Sequence, residues 1–419
     1  MSRSLLLQLA RLGDLIQSLP AISSLHSSFP DRPLDLVCAA PLASMAQLFS
    51  DIQRVYPWDG ERWHSLANMD GGAPEPFVVA AEQYVDDCAF PRYSVAYNLN
   101  NHPRSVLASH VLSDQVVGAG DLGPLHPSLP PWVAYLRQVA GDRGANRIHL
   151  ADAFCGVCGV NPPSVVPTIR ATHVDLPNDL ACMVDEGSWN GIGIVLGAGD
   201  RDRRVPLATW RQFIEVCIDQ LPHGLCVLIG GPGEREAALA LEDQLPPSYL
   251  SRLLNCVGRT SLPQLAHVLN RCQWVVGSDT GPLHLGVACG ARAIGWYFSR
   301  ARVHETGPYG VGHYVWQFRP GVNSKTLGAF DLNGSAPPPG SWPVQETLQL
   351  IQGQDESAHP SEWELWKSHR DVWGMFYMNG EQLDSAVAQR KNIWEQLSAP
   401  SANRDSTVGF RSHLTGCSS

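Results

Sequence analysis

Two kinds of apolar pattern alternate along the chain. Short continuous runs, such as LLL at 5–7 and WVV at 274–276, suit strands covered on both faces. Longer stretches with an apolar residue every three or four positions suit helices packed on one side. In the first half this predicts a strand over 4–9, a loop, and a helix with Leu15, Leu19, Ile22 and Leu25 on one face. A second strand follows over 34–38, then helices and a loop over 41–92, in which MDGGAPEP (69–76) reads as a mobile flap. Residues 93–112 read as strand, loop and helix, the Gly- and Pro-rich 121–145 as a loop over a cleft, and 147–160 as a helix. A Pro-rich stretch places an interdomain linker near 165–185. The second half gives strands over 191–196, 225–229, 274–276 and 293–297 with helices between them, a βαβαβαβ order that builds a doubly wound parallel sheet. Beyond a Pro/Gly linker, 344–351 reads as a helix returning to the first domain. Residues 361–398 read as helical, with Trp363, Trp366, Trp373 and Tyr377 on one packed face, and the last 20 residues as disordered. The chain is thus expected to be α/β, with domains at 1–175 and 176–320 and a helical extension over 321–419.

Composition narrows the function. At 419 residues the chain exceeds one ordinary core, and 44% hydrophobic with 17% charged residues describes a soluble globular protein. Arg11 and Asp14 interrupt the first apolar run, so it reads as strand and helix and not as a signal peptide; no run reaches transmembrane length. A net charge of −10 disfavours nucleic acid and anionic membrane as partners of the whole surface. Lysine occurs only at 325, 367 and 391, which excludes a phosphate loop of the Gly-Lys-Ser/Thr type. Any phosphate in the main body must therefore be held by arginine, histidine or backbone amides. Eleven scattered cysteines suit a reducing cytoplasm, and Cys155 and Cys158 lack the second pair that a structural zinc site needs.

The chemistry concentrates at strand ends. Ser278, Asp279 and Thr280 are helix-capping types, Gly281 admits a ligand close to the backbone, and Pro282 suits a first helical turn. A helix opening after a parallel strand is an anion site, though the same residues also make an ordinary capped junction. Asp14 follows Gly13 at the end of strand one, where open α/β sheets bind ligands, and it reads equally well as a cap. RDRR (201–204) is either a phosphate grip or a solvated loop, and Glu234 either a ribose contact or a first-turn acid.

GSDTGPLHLGVACG (277–290) resembles the Asp-Thr/Ser-Gly-Pro-x-His-Leu/Ile signature of the heptosyltransferase family, glycosyltransferase family 9. LARLGDLIQSLP (9–20) resembles that family's Leu-Gly-Asp opening motif, and GAGDRDRRVPLATW (197–210) its diphosphate segment, with Arg203 where the family has Lys and Val205 where it has Trp. Looser matches run through Glu234, Ser261–Pro263 and 307–310, and the whole covers roughly residues 4–315. The resemblance implies a GT-B fold: two Rossmann-like, doubly wound parallel-sheet domains facing across a cleft. It implies Asp14 as general base, and donor binding by Arg203, Glu234, Asp279, Thr280, Gly281, Leu283 and His284. It implies acceptor binding by Asn100 and Arg104, where the family's Asp and Gln are replaced by Asn98 and Asn100. The reaction implied is inverting, metal-independent transfer of a heptose from an ADP-sugar to lipopolysaccharide core, with no cofactor and at most peripheral contact with the inner face of the membrane. Three rivals stand beside it. These are a transferase with another nucleotide sugar or a protein or polysaccharide acceptor, a nucleotide-sugar binding module without catalysis, and a Rossmann oxidoreductase, which a missing third glycine after Gly199 disfavours.

Overall fold

The computed structural model describes residues 2–60, 75–120, 129–170, 174–185, 190–319, 336–354, 360–380 and 383–399. Leu5, Leu6 and Leu7 are wholly buried, because their run is the middle strand of a five-stranded parallel sheet. That half runs β1 (Ser4–Gln8), α1 (Leu12–Gln17), α2 (Leu19–Ser28), β2 (Leu34–Ala39), α3 (Ala43–Ala46) and β3 (Arg54–Trp58). It continues through α4 (Glu75–Cys88), β4 (Val95–Asn98), α5 (Pro103–Leu112), β5 (Val116–Gly118), α6 (Pro131–Gly141) and α7 (Leu150–Val157), and α8 (Asn178–Asp185) then lies against Arg259 and Arg271 of the second half. The strand order is β3-β2-β1-β4-β5. The connections leave β1 toward one side first and the other side later, so a crevice opens at the carboxyl end of β1.

The second half runs β6 (Asn190–Val195), α9 (Leu207–Gln220), β7 (Gly224–Ile229), α10 (Arg235–Gln244), β8 (Leu253–Asn255), α11 (Leu262–Asn270), β9 (Cys272–Gly277) and α12 (Gly281–Ala288). Then come β10 (Arg292–Tyr297), α13 (Val303–Thr306), β11 (Tyr314–Phe318), α14 (Val344–Ile351), β12 (Trp363–Asp371), β13 (Gly374–Met378) and α15 (Leu383–Ser398). Its sheet has the order β13-β12-β11-β10-β9-β6-β7-β8, and β6 is its switch point, flanked by β7 and β9. The strands from β8 to β11 are parallel, and β12 and β13 are antiparallel additions.

Four expectations need correcting. The aromatic stretch 361–398 is helical only from Leu383; Trp363–Asp371 and Gly374–Met378 form a hairpin. The open edge of β11 offers unpaired backbone groups, and a segment rich in aromatic residues satisfies them as a strand. Gly374 turns the hairpin at φ 103°, a left-handed conformation that a helix cannot contain. The helix at 344–351 exists, but Val344, Leu348 and Leu350 pack with Trp210 and Phe213 of α9 in the second half. The return to the first half is made by α15, whose Trp394 ring lies 4.5 Å from that of Trp132 on α6. Residues 131–141, expected within a loop, are helix α6, and β3 adds a strand inside the stretch read as helices and loop. Within the stretch expected as the interdomain linker, the Ile169 N–H donates to the Ala288 carbonyl at 2.7 Å, and 178–185 is helical. The expected flap at 69–76 falls mostly outside the described residues, and the expected disordered tail falls wholly outside them. Among the described residues no helix is long and apolar enough to cross a membrane.

Two of the several contacts between the halves involve buried groups. At the first, α1 and α12 start against each other: a Cβ on Gly281 would stand 2.8 Å from Leu12 Cβ, closer than real contacts allow. One apolar core runs through this contact, holding Leu15 and Ile16 from the first half with Leu283 and Val287 from the second. At the second, Asp152 of α7, fully buried, accepts hydrogen bonds from the Tyr309 hydroxyl at 2.8 Å and the Met375 N–H at 2.7 Å. Burial raises its pKa to about 7 against the pull of these two donors.

Gly281→Ala should destabilise the protein by about 1–3 kcal/mol in thermal denaturation, since backbone and not a flexible side-chain tip must move. Gly13→Ala should not, because a Cβ there stands 3.5 Å from His284 Cδ2, an ordinary contact. Asp152 has a second consequence. A carboxyl whose pKa rises from 3.8 unfolded to about 7 folded favours the native state below pH 4 and loses that contribution as pH rises to about 7. Over that window the wild type should lose stability relative to Asp152→Asn, whose amide does not titrate and can accept from the Met375 N–H while donating to the Tyr309 hydroxyl; parallel curves would refute the assignment.

Candidate active site

At the end of β1 the chain must leave the sheet with its last amides unpaired. Asn100, two residues past β4, takes them: its Oδ1 accepts from the Leu9 N–H at 2.9 Å and its Nδ2 donates to the Leu7 carbonyl at 2.8 Å. This side chain does the work of a further strand residue and fixes the loop that carries Asp14. Asn98, also in the family's altered motif, is wholly buried and donates to the Ala119 carbonyl at 2.7 Å. An amide can serve donors and acceptors together, so Asn suits this site as Asp would not.

Asp14 is the third residue of α1, and its Oδ2 accepts from the Arg11 N–H at 3.2 Å. Asp14 thus closes the helix start, and it also lines a cavity of about 560 Å³. Trp58, Asn100, Asn101, His102 and Arg104 share that cavity. Burial raises the Asp14 pKa, the Arg11 amide opposes this, and the charge of Asp279 across the cleft adds to it. Arg104 is half-buried at the start of α5, and no described residue pairs with its guanidinium.

From the second half, the loop after β9 brings Asp279 beneath the start of α12. Its Oδ1 lies 3.1 Å from His284 Nε2, and Arg203 donates to its carbonyl at 2.9 Å and its Oδ2 at 3.4 Å. Burial works to raise the Asp279 pKa, but the His284 bond and the Arg203 charge hold it below the ordinary value. Thr280 is the helix N-cap, and its hydroxyl turns back to the Ser278 carbonyl at 3.3 Å, leaving the helix opening clear of its own side chain. Arg203 ends a tight turn, Arg201–Arg203, at the β6 switch point, and its Nη2 also reaches Asp200 at 3.0 Å. Glu234 lies beside it: its Oε2 accepts from the Gly231 N–H at 2.9 Å, its Oε1 pairs with Arg204 at 3.4 Å, and its carboxylate packs on Gly197.

The structure therefore gathers Asp14, Asn100 and Arg104 on one wall, and Arg203, Glu234, Asp279, Thr280, Gly281 and His284 on the other. Leu283 differs: its side chain is fully buried in the core, and its N–H is bonded to the Thr280 carbonyl. Sequence reasoning missed Gln17, whose Nε2 reaches His284 Nε2 across the halves at 3.5 Å, and also His102 and Trp58 in the cavity. The signal for Gln17 was present, since it sits one helical turn after Asp14. Among the described residues no group of three or more His, Cys, Asp or Glu is placed to hold a metal ion.

Known proteins share this arrangement. Residues 175–319 match the family model described as glycosyltransferase family 9 (heptosyltransferase). The Escherichia coli heptosyltransferase WaaC, solved with ADP, is 18% identical, with 84% of this chain and 99% of that one covered at a TM-score of 0.60. The E. coli ADP-heptose lipopolysaccharide heptosyltransferase II is 15% identical, covering 84% and 98% at 0.58. A glycosyltransferase family 9 protein from Veillonella parvula is 16% identical, covering 94% and 98% at 0.57. No curated protein matches the chain. Two largely parallel-sheet domains with a switch point on each side of one cleft are the GT-B arrangement of these structures, and it is the half holding Arg203, Asp279 and His284 that matches glycosyltransferase family 9 (heptosyltransferase).

Proposed function

We propose that the chain moves a heptose or closely related sugar from an ADP-sugar to a glycan or glycolipid acceptor, with inversion and with Asp14 as general base. One observation carries this reading. Asp14 borders an open cavity in the first half, and its helix reaches the second: Gln17, one turn on, lies 3.5 Å from His284, which bonds Asp279. An acceptor hydroxyl in that cavity loses its proton to Asp14 as it attacks the anomeric carbon, and the bond to the diphosphate breaks on the opposite face. One displacement of this kind inverts the centre and needs no second carboxylate as nucleophile.

The donor half of the reading rests on Arg203 and the start of α12 for the diphosphate, in place of a metal ion, and on Glu234 for the ribose hydroxyls. ADP is supported as the nucleotide by WaaC, whose solved complexes include ADP and ADP-2-deoxy-2-fluoro heptose. The acceptor half rests on Arg104, whose guanidinium has no described partner and can grip two oxygens of a carboxylate or phosphate. His102 beside it and the apolar wall of Leu9, Trp58 and Phe154 fit an acidic sugar with a less polar face.

Asp14→Asn should lower turnover by about 100- to 10,000-fold while leaving ADP affinity, read by calorimetry, within about twofold of wild type. Because burial lifts the Asp14 pKa, the acid limb of kcat/KM should bend above the ordinary aspartate range. Turnover that survives Asp14→Asn, or an acid limb that persists in it, would show that another group takes the proton.

A further inference from the structure

Arg11 closes the first loop of the chain, and its side chain crosses the cleft. The point where a Cβ would stand on Gly199, in the loop after β6, is 3.0 Å from Arg11 Nη1 and 3.5 Å from Arg203 Nη2. Two guanidinium groups from opposite halves thus converge on one backbone position. Their charges are not balanced alike. Arg203 lies beside Asp200 and Asp279, and Arg204 beside Glu234. No described carboxylate pairs with the Arg11 side chain, which is exposed. Like charges brought together in a cleft repel unless an anion lies between them. The glycine they converge on lies at the carboxyl end of β6, where a doubly wound sheet receives its ligand.

We propose that Arg11 is a diphosphate-binding residue supplied by the acceptor half, completing across the cleft the grip that Arg203 begins. The proposal rests on the donor-site reading above and adds to it a charge that closes over the leaving group. During transfer the acceptor proton passes to Asp14, the acceptor oxygen bonds to the anomeric carbon, and the ADP leaves with the electron pair of the broken bond. The new charge on the departing phosphate oxygen is met by Arg11. The same turn serves both ends of the reaction, since the Arg11 N–H holds Asp14 Oδ2 while its side chain reaches the diphosphate. The proton acceptor and the leaving-group clamp are therefore set by one segment, 11–14.

The test titrates the intact chain by calorimetry with ADP, and with adenosine as a ligand that has no phosphate. Arg11→Ala should weaken ADP by about 10- to 100-fold and leave adenosine unchanged, and Arg11→Lys should recover part of the loss. kcat/KM for the ADP-sugar should fall with it. Wild-type ADP affinity in Arg11→Ala overturns the proposal, as does an equal loss for adenosine, which would place the effect away from the phosphates. Arg203→Ala separates the two claims. If it weakens ADP and Arg11→Ala does not, the donor site stands and the role of Arg11 falls. If neither substitution weakens ADP, or the wild type does not bind it, both fall.

Discussion

The site depends on the close approach of two helix starts. α1 begins at the end of the central strand of one sheet and α12 beside the switch strand of the other, and Leu12 lies directly on the Cα of Gly281. With no side chain at 281, the turn carrying Asp14 and the turn carrying Asp279 share one narrow space. Gln17 then reaches His284, and the carboxylates of Asp14 and Asp279 interact through the cleft. Each wall is ordinary α/β architecture, and the chemistry arises because this contact sets one wall against the other.

A second layer of order comes from charge. A buried carboxylate is costly unless it is paired, and Asp279 is held by a histidine and an arginine at once. Arg203 bonds both to the Asp279 backbone and to Asp200, and Arg204 and Glu234 hold each other over Gly197. These pairs fix the directions of the polar groups before any ligand arrives. A site whose dipoles already point the right way spends little on reorganisation during reaction. Asp14 is the exception, with one backbone donor and a raised pKa, which is the state a proton acceptor needs.

Much of this was legible in the residues. The apolar run at 5–7, the helical spacing after it and the capping chemistry at 278–282 gave strands and helices where the structure has them, because each is a local rule obeyed by its own segment. The hairpin at 363–378 was not legible, since Trp363, Trp366, Trp373 and Tyr377 satisfy a helical period, and only the open edge of β11, far off in sequence, selects a strand. The partner of the 344–351 helix was hidden for the same reason: its apolar face fits either half, and the Trp296 indole bonded to Thr347 ties it to the second. In the site, residue identities led to the strand ends after β1, β6 and β9. They did not distinguish Leu283, which faces the core, from its neighbours that face the cleft, nor Asn100 as a backbone substitute from Asn100 as a ligand contact.

The hairpin bears on modularity. The last two strands of the second sheet lie downstream of residues 277–290, and the hairpin's Met375 amide is tied to Asp152 in the other half. A Cβ on Gly374 would meet that same carboxylate at 2.2 Å. A chain ending after β11 would therefore expose a bare sheet edge and leave buried Asp152 with the Tyr309 hydroxyl but without the Met375 amide. Exchange of first halves between related chains must therefore carry α7 and the hairpin together as one cassette.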